Sequence, residues 1–247
     1  MNILPGLLSR SRSALKARAA ALIVATIVGS LAAPGVALAS GASQGPPLGR
    51  SVVPGAPAAL AAGPGGRLYL VDTTRQQILC YQPGLGFRVV AGSGQGGRSP
   101  DGTPALEAKL GLGWWSGLAV RGTTVYFSDG DLVREVGPRG LLSTVAGGGK
   151  VALGQRPVPA READMLGGGP NGLAIGPGGE LYIATADGVY RLGNDGRLYW
   201  VVGEGKPLPP NWGGVYSNPG IQNEFTNANH LAFDSHGDLF VAGGGGC

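Results

Sequence analysis

The chain has 247 residues, of which 48 are Gly and 19 Pro, while only 14% are charged. So little charge excludes a coiled coil, a large helical bundle and a charge-rich disordered tail. The 43% of hydrophobic residues fall in short alternating runs, which excludes a low-complexity chain and leaves many short strands joined by Gly-rich turns.

Residues 1–39 read as a secretory signal. Arg10, Arg12, Lys16 and Arg18 form a basic start, residues 19–33 are a run of apolar and small residues, and Ala37-Leu38-Ala39 is a small-x-small cleavage site. The run is short for a bilayer span. The expectation is a chain secreted or held in the cell envelope, starting at Ser40, with no stable membrane span after cleavage. The formal charge of +4 has its origin here, because all four charges before residue 40 are basic and the rest of the chain balances. No nucleic-acid partner is therefore expected. Residues 40–53 read as a flexible linker.

From residue 54 the sequence repeats. Tyr69, Tyr126, Tyr182 and Phe240 are separated by 57, 56 and 58 residues, and Leu60, Leu118, Leu173 and Leu231 by 58, 55 and 58. Gly92, Gly147 and Gly203, each closing a Val-rich run, form a third register. The units are 54–110, 111–166, 167–227 and a partial one at 228–247. Each full unit reads as four short strands. The second strands are predicted at 67–71, 124–128 and 180–184, and the fourth at 87–91, 142–146 and 198–202. In the third unit the first strand is 172–175, the third is 189–192, and Asn194-Asp195-Gly196 is a hairpin signal. Small residues such as Gly117-Leu118-Ala119-Val120 suit a crowded inner strand. The predicted fold class is all-β, a β-propeller of four-stranded antiparallel blades with about three and a half blades present and the ring incomplete. The connections 94–110 and 148–166 are expected to be loops with one helical turn.

The segments Val90-Ala91-Gly92, Asp101-Gly102-Thr103-Pro104-Ala105, Leu110, Gly117-Leu118-Ala119-Val120 and Val125-Tyr126-Phe127-Ser128-Asp129, with their later copies, resemble the NHL-repeat β-propellers of secreted bacterial proteins. The resemblance covers most of 54–247. It implies a ring of about six blades, so the chain is expected to be either a truncated fragment of a longer propeller or a protein that pairs with another copy. Pro170-Asn171-Gly172-Leu173-Ala174 is also distantly similar to a segment of the SMP-30/gluconolactonase/lactonase relatives. That resemblance implies Asn171 as a ligand of a catalytic divalent metal. The early Glu and late Asp of those enzymes are not matched, since the first acidic residue is Asp72 and the late position reads Asn229-His230.

Blade topology puts the loops entering first strands and the turns between second and third strands on one face. The candidate ligand-binding residues there are Trp114, Trp115, Asn171, Asn229, His230, Asp129 and Asp72, beside Arg75, Ser116, Asp131, Pro170, Thr185 and Asp187. Asn and Asp converging on an axis could hold Ca²⁺, or could serve only turn chemistry. Trp114 and Trp115 could form a platform for a sugar or peptide, or one ring could plug the space between blades. The GxGxxG match at 92–97 is followed by Pro100 and Asp101-Gly102 rather than a helix, which argues against a dinucleotide site. Ser116, after two tryptophans, is no nucleophile elbow, and the two histidines lack zinc partners. Cys80 sits in an apolar run and reads as a buried small hydrophobe, and whether it pairs with Cys247 is open. The function expected is a binding scaffold for a protein, peptide or glycan. The alternatives are a divalent-metal-dependent, lactonase-like hydrolase and a fragment of a longer protein.

Overall fold

The computed structural model describes residues 48–167, 169–203 and 228–243. Among the described residues there is no α-helix, and no helix long and apolar enough to cross a membrane. The first sheet runs β1 (Pro57–Ala62), β2 (Leu68–Asp72), β3 (Gln77–Gln82) and β4 (Gly86–Ala91). The second runs β5 (Leu118–Arg121), β6 (Thr124–Asp129), β7 (Leu132–Val136) and β8 (Leu142–Gly147). The third contains β9 (Val158–Pro159), β10 (Leu173–Ile175), β11 (Leu181–Thr185), β12 (Gly188–Leu192) and β13 (Arg197–Val202), in the order β10-β11-β12-β13-β9. A last pair is β14 (Ala228–Phe233) with β15 (Leu239–Gly243). All pairings between these strands are antiparallel, and the inner strands β1, β5, β10 and β14 lie side by side in chain order. These are the meandering blades of a β-propeller, set out as an open arc.

The repeat seen in sequence is a repeat of position. Tyr69, Tyr126, Tyr182 and Phe240 each stand opposite an alanine of the inner strand, namely Ala61, Ala119, Ala174 and Ala232. A methyl there leaves room for the ring. Side chains alternate along each strand, so one blade contributes to two interfaces. Val125 and Phe127 join Tyr69, Val71, Ile78 and Cys80 between the first and second blades. Tyr126 and Val133 join Leu181, Ile183 and Tyr190 between the second and third. Each such fully buried side chain contributes roughly 1.5–3 kcal/mol. Cys80 is fully buried among them, as its apolar run implied, and Cys247 lies outside the described residues.

Both connections contain the expected single turn, a 3-10 turn at Ala105–Glu107 and at Ala160–Glu162. They also do something the strand pattern did not predict. After its turn outward, each connection runs along the outer strand of the blade that follows. Gly102 N–H donates to Leu142 C=O, Leu142 N–H to Thr103 C=O, and Ala105 N–H to Gly140 C=O. In the third blade the same contact is regular enough to form β9, where Pro159 and Val158 pair with Arg197 and Leu198. Residues 49–52, read as the end of a linker, lie along β4 in the same way through Gly49, Arg50 and Val52.

At the end of the arc, Phe240 is 59% exposed, whereas its counterparts Tyr69 and Tyr126 are 1% and 2% exposed. Those two are covered by the following blade. No described blade covers Phe240.

Candidate functional site

The candidate face is built from the ends of the second strands. Asp72 closes β2, and its carboxylate accepts from Gly55 N–H at 2.6 Å and Arg75 N–H at 3.0 Å, with the Arg75 guanidinium at 3.4 Å. Asp129 closes β6 and accepts from Gly111 N–H. Both carboxylates are buried and fasten the segment entering the first strand to the end of the second. Asp72 and Asp129, expected on the ligand-binding face, thus hold backbone groups of their own blades. A carboxylate buried at a strand end is stabilised by backbone donors, which it finds in its own blade.

Burial pushes the Asp129 carboxyl up, against the opposing effects of the Gly111 hydrogen bond and the Arg134 and Arg98 charges. Its Oδ2 has no partner. Arg134, also buried, crosses to Ser99 C=O at 3.1 Å and to Asp101 at 3.3 Å. Burial lowers its pKa, while Asp129 and Asp101 oppose that effect. Arg98 forms an ion pair with Asp131 in the adjoining turn. The blade-to-blade joint here is thus a compact charge network.

Two further residues matter that the sequence reading passed over. Gln76 has φ +51°, the one positive φ outside glycine among the described residues. Its amide donates to Thr73 and Leu112 carbonyls and accepts from Leu112 N–H at 2.8 Å, acting as a substitute strand between blades. Arg98 is the second. No local motif marks either. The Asp72 and Asp129 clamps did leave a signal, since a Gly precedes each Asp by 17 or 18 residues.

Asn171 and Asn229 do come together. Asn171 Nδ2 donates to Asn229 Oδ1 at 3.1 Å, and Asn171 N–H donates to Ala184 C=O. The inner strands approach closely here: a Cβ on Gly117 would lie 2.3 Å from Asn171 C=O. His230 is not part of this pair. It follows Asn229 in β14 at an irregularity in the pairing with β15, and it is exposed where Asn229 is buried.

Trp114 and Trp115 are 72% and 59% exposed. Neither ring fills the space between blades, which corrects that alternative. Their turn is pinned at its base: Gly113 N–H donates to Ser116 Oγ at 2.9 Å and Ser116 N–H to Gly113 C=O at 3.0 Å. Two large apolar rings are thus held out from a closed turn.

Calcium takes six to eight oxygens, yet the Asp72 and Asp129 carboxylates are buried in backbone clamps, and the Asn171 and Asn229 amides are bonded to each other. Among the described residues no three His, Cys, Asp or Glu side chains cluster as metal ligands.

No family model matches the chain. Teneurin-m of Drosophila melanogaster is 27% identical over 196 residues, which is 72% of this chain and 7% of that protein. A structural-genomics protein of unknown function from Bacteroides thetaiotaomicron superposes with a TM-score of 0.52 at 18% identity, over 76% of this chain and 44% of that one. An auxiliary nutrient binding protein from the same organism gives 0.47 at 13% identity, over 74% of this chain and 44% of that one. The chain thus spans less than half the length of these solved structures and a small part of the curated relative. The first superposition supports the propeller fold.

Proposed function

We propose that the chain is a secreted or envelope-held binding scaffold whose ligand, a protein, peptide or glycan, docks on the face that carries Trp114 and Trp115. The observation that carries this reading is the pair of exposed indoles on a turn closed by its own hydrogen bonds. An aromatic surface already fixed in place binds without the entropic cost of ordering a loop. Export rests on the basic start and the Ala37-Leu38-Ala39 site. The metal-hydrolase alternative draws no support from Asn171, whose amide is engaged with Asn229.

The test is a screen of the labelled chain on glycan and peptide arrays, followed by the same measurement on Trp114→Ala/Trp115→Ala. Stacking on two rings predicts a loss of about tenfold or more for the ligands found. Binding that survives the double substitution unchanged would remove the docking face from consideration.

A further inference from the structure

The second and third blades can be compared position by position, and they differ in charge. A spacing of 55 residues relates Gly92 to Gly147, Ala105 to Ala160 and Leu110 to Met165. At that spacing Arg98 corresponds to Leu153 and Lys109 to Asp164. Superposing the ends of β6 and β11 relates Asp129 to Thr185 and Asp131 to Asp187, and the register of the third strands relates Arg134 to Tyr190. The second blade's joint thus holds basic and acidic residues together, with Arg98 seated on Asp131. At the third blade's joint Arg98, Lys109 and Arg134 give way to Leu153, Asp164 and Tyr190, while the 55-residue spacing puts Arg156 where Asp101 stands. Asp187 remains, Asp164 is added, and neither has a salt-bridge partner among the described residues.

An open cavity of about 430 Å³ lies at this second joint, lined by Leu153, Asp164, Met165, Thr185, Ala186 and Asp187. Leu153 is too short and too apolar to do what Arg98 does. Behind the lining, Tyr190 is 1% exposed and its hydroxyl has no hydrogen-bond partner. Its ring packs in the same cluster as Met165. The cavity lining therefore combines apolar side chains (Leu153, Met165) with two carboxylates (Asp164, Asp187), which suits a cationic head on an alkyl stem.

We propose that this cavity takes the cationic side chain of a peptide ligand, arginine in the first place, with its guanidinium on Asp187 as Arg98 sits on Asp131. The proposal deepens the binding reading above by naming the ligand's chemistry, but it stands on different residues. The volume exceeds what a bare metal ion fills, and guanidinium matches a carboxylate in a fixed two-pronged geometry that ammonium lacks.

The experiment is a titration of the isotope-labelled chain with an acetylated, amidated Gly-Arg-Gly tripeptide, followed by NMR, beside the tripeptide carrying uncharged citrulline. Saturable shifts with the arginine peptide are expected, and none with citrulline. Asp187→Asn, an exposed turn residue, is expected to keep the parent melting midpoint and weaken binding at least tenfold. Leu153→Arg supplies the missing guanidinium from within and is expected to abolish binding. Absence of saturable shifts, equal binding of citrulline, or an Asp187→Asn protein that binds like the parent overturns the proposal. So does a calcium titration that saturates at Asp187 while the peptide does not bind. The Trp114→Ala/Trp115→Ala protein separates the two readings: if it still binds the arginine peptide, the cavity acts without the aromatic face.

Discussion

Asp129 and Asp101 belong to one charge network and respond to pH in opposite senses. Burial penalises the ionised form of Asp129, so its folded-state pKa lies above the unfolded value. The stability associated with it is full below the ordinary Asp range, near pH 4, and is lost as pH rises through the raised value. Asn in its place keeps an oxygen for Gly111 N–H without the charge. The Asp129→Asn protein is expected to gain in melting midpoint over the parent as pH is raised from about 4 to about 6. A parallel pair of curves would refute the assignment. For Asp101, burial raises the pKa, but the Thr144 hydrogen bonds and the Arg134 and Arg161 charges outweigh it and hold the carboxyl low. Its contribution is present above the ordinary Asp range and is lost as pH falls through the lowered value. A second residue-scale test concerns Gly147, where φ is +86° and a Cβ would lie 2.1 Å from Asp131 C=O. Gly147→Ala combines left-handed strain with a backbone clash, and denaturant unfolding is expected to show a loss of about 3 kcal/mol.

At the scale of the strand and the connection, Leu110 anchors the first connection in the core between blades. It is fully buried, and its carbonyl accepts from Gly97 N–H. Leu110→Ala is expected to cost about 3 kcal/mol in denaturant unfolding, and a cost under about 1 kcal/mol would mean that the connection packs more loosely than described. The strands themselves were legible in the sequence, because Tyr69, Tyr126, Tyr182 and Phe240 recur in one register and each needs a small partner opposite. The connections were legible only as loops with a turn. Their second role, along the outer strand of the next blade, rests on backbone groups of Gly102, Thr103 and Leu142, and backbone pairing leaves little mark on side-chain pattern. The site was less legible still. Asp72 and Asp129 stood out as polar residues in turns, and the sequence could not say whether they faced solvent or the backbone. The Arg98–Asp131 pair joins residues far apart in the chain with no local motif, so only the fold reveals it.

For the molecule as a whole, the binding face and the proposed cavity predict indifference to calcium. The melting midpoint of the chain should be the same with Ca²⁺ and with chelator, since a ligand that binds the folded state raises it. A calcium-dependent rise would return the Asn171 region to consideration as a metal site. The outer-strand contacts have a further consequence, which concerns the direction in which the structure comes apart. Every described contact of this kind runs forward: residues 49–52 shield β4, the first connection shields β8, and the second, through β9, shields β13. A protease cut within a connection therefore bares the edge of the blade after it and leaves the edge of the blade before it covered. The outer edge of each described blade thus depends on the segment that precedes that blade in the chain, which gives the arc a polarity that its repeated strands lack.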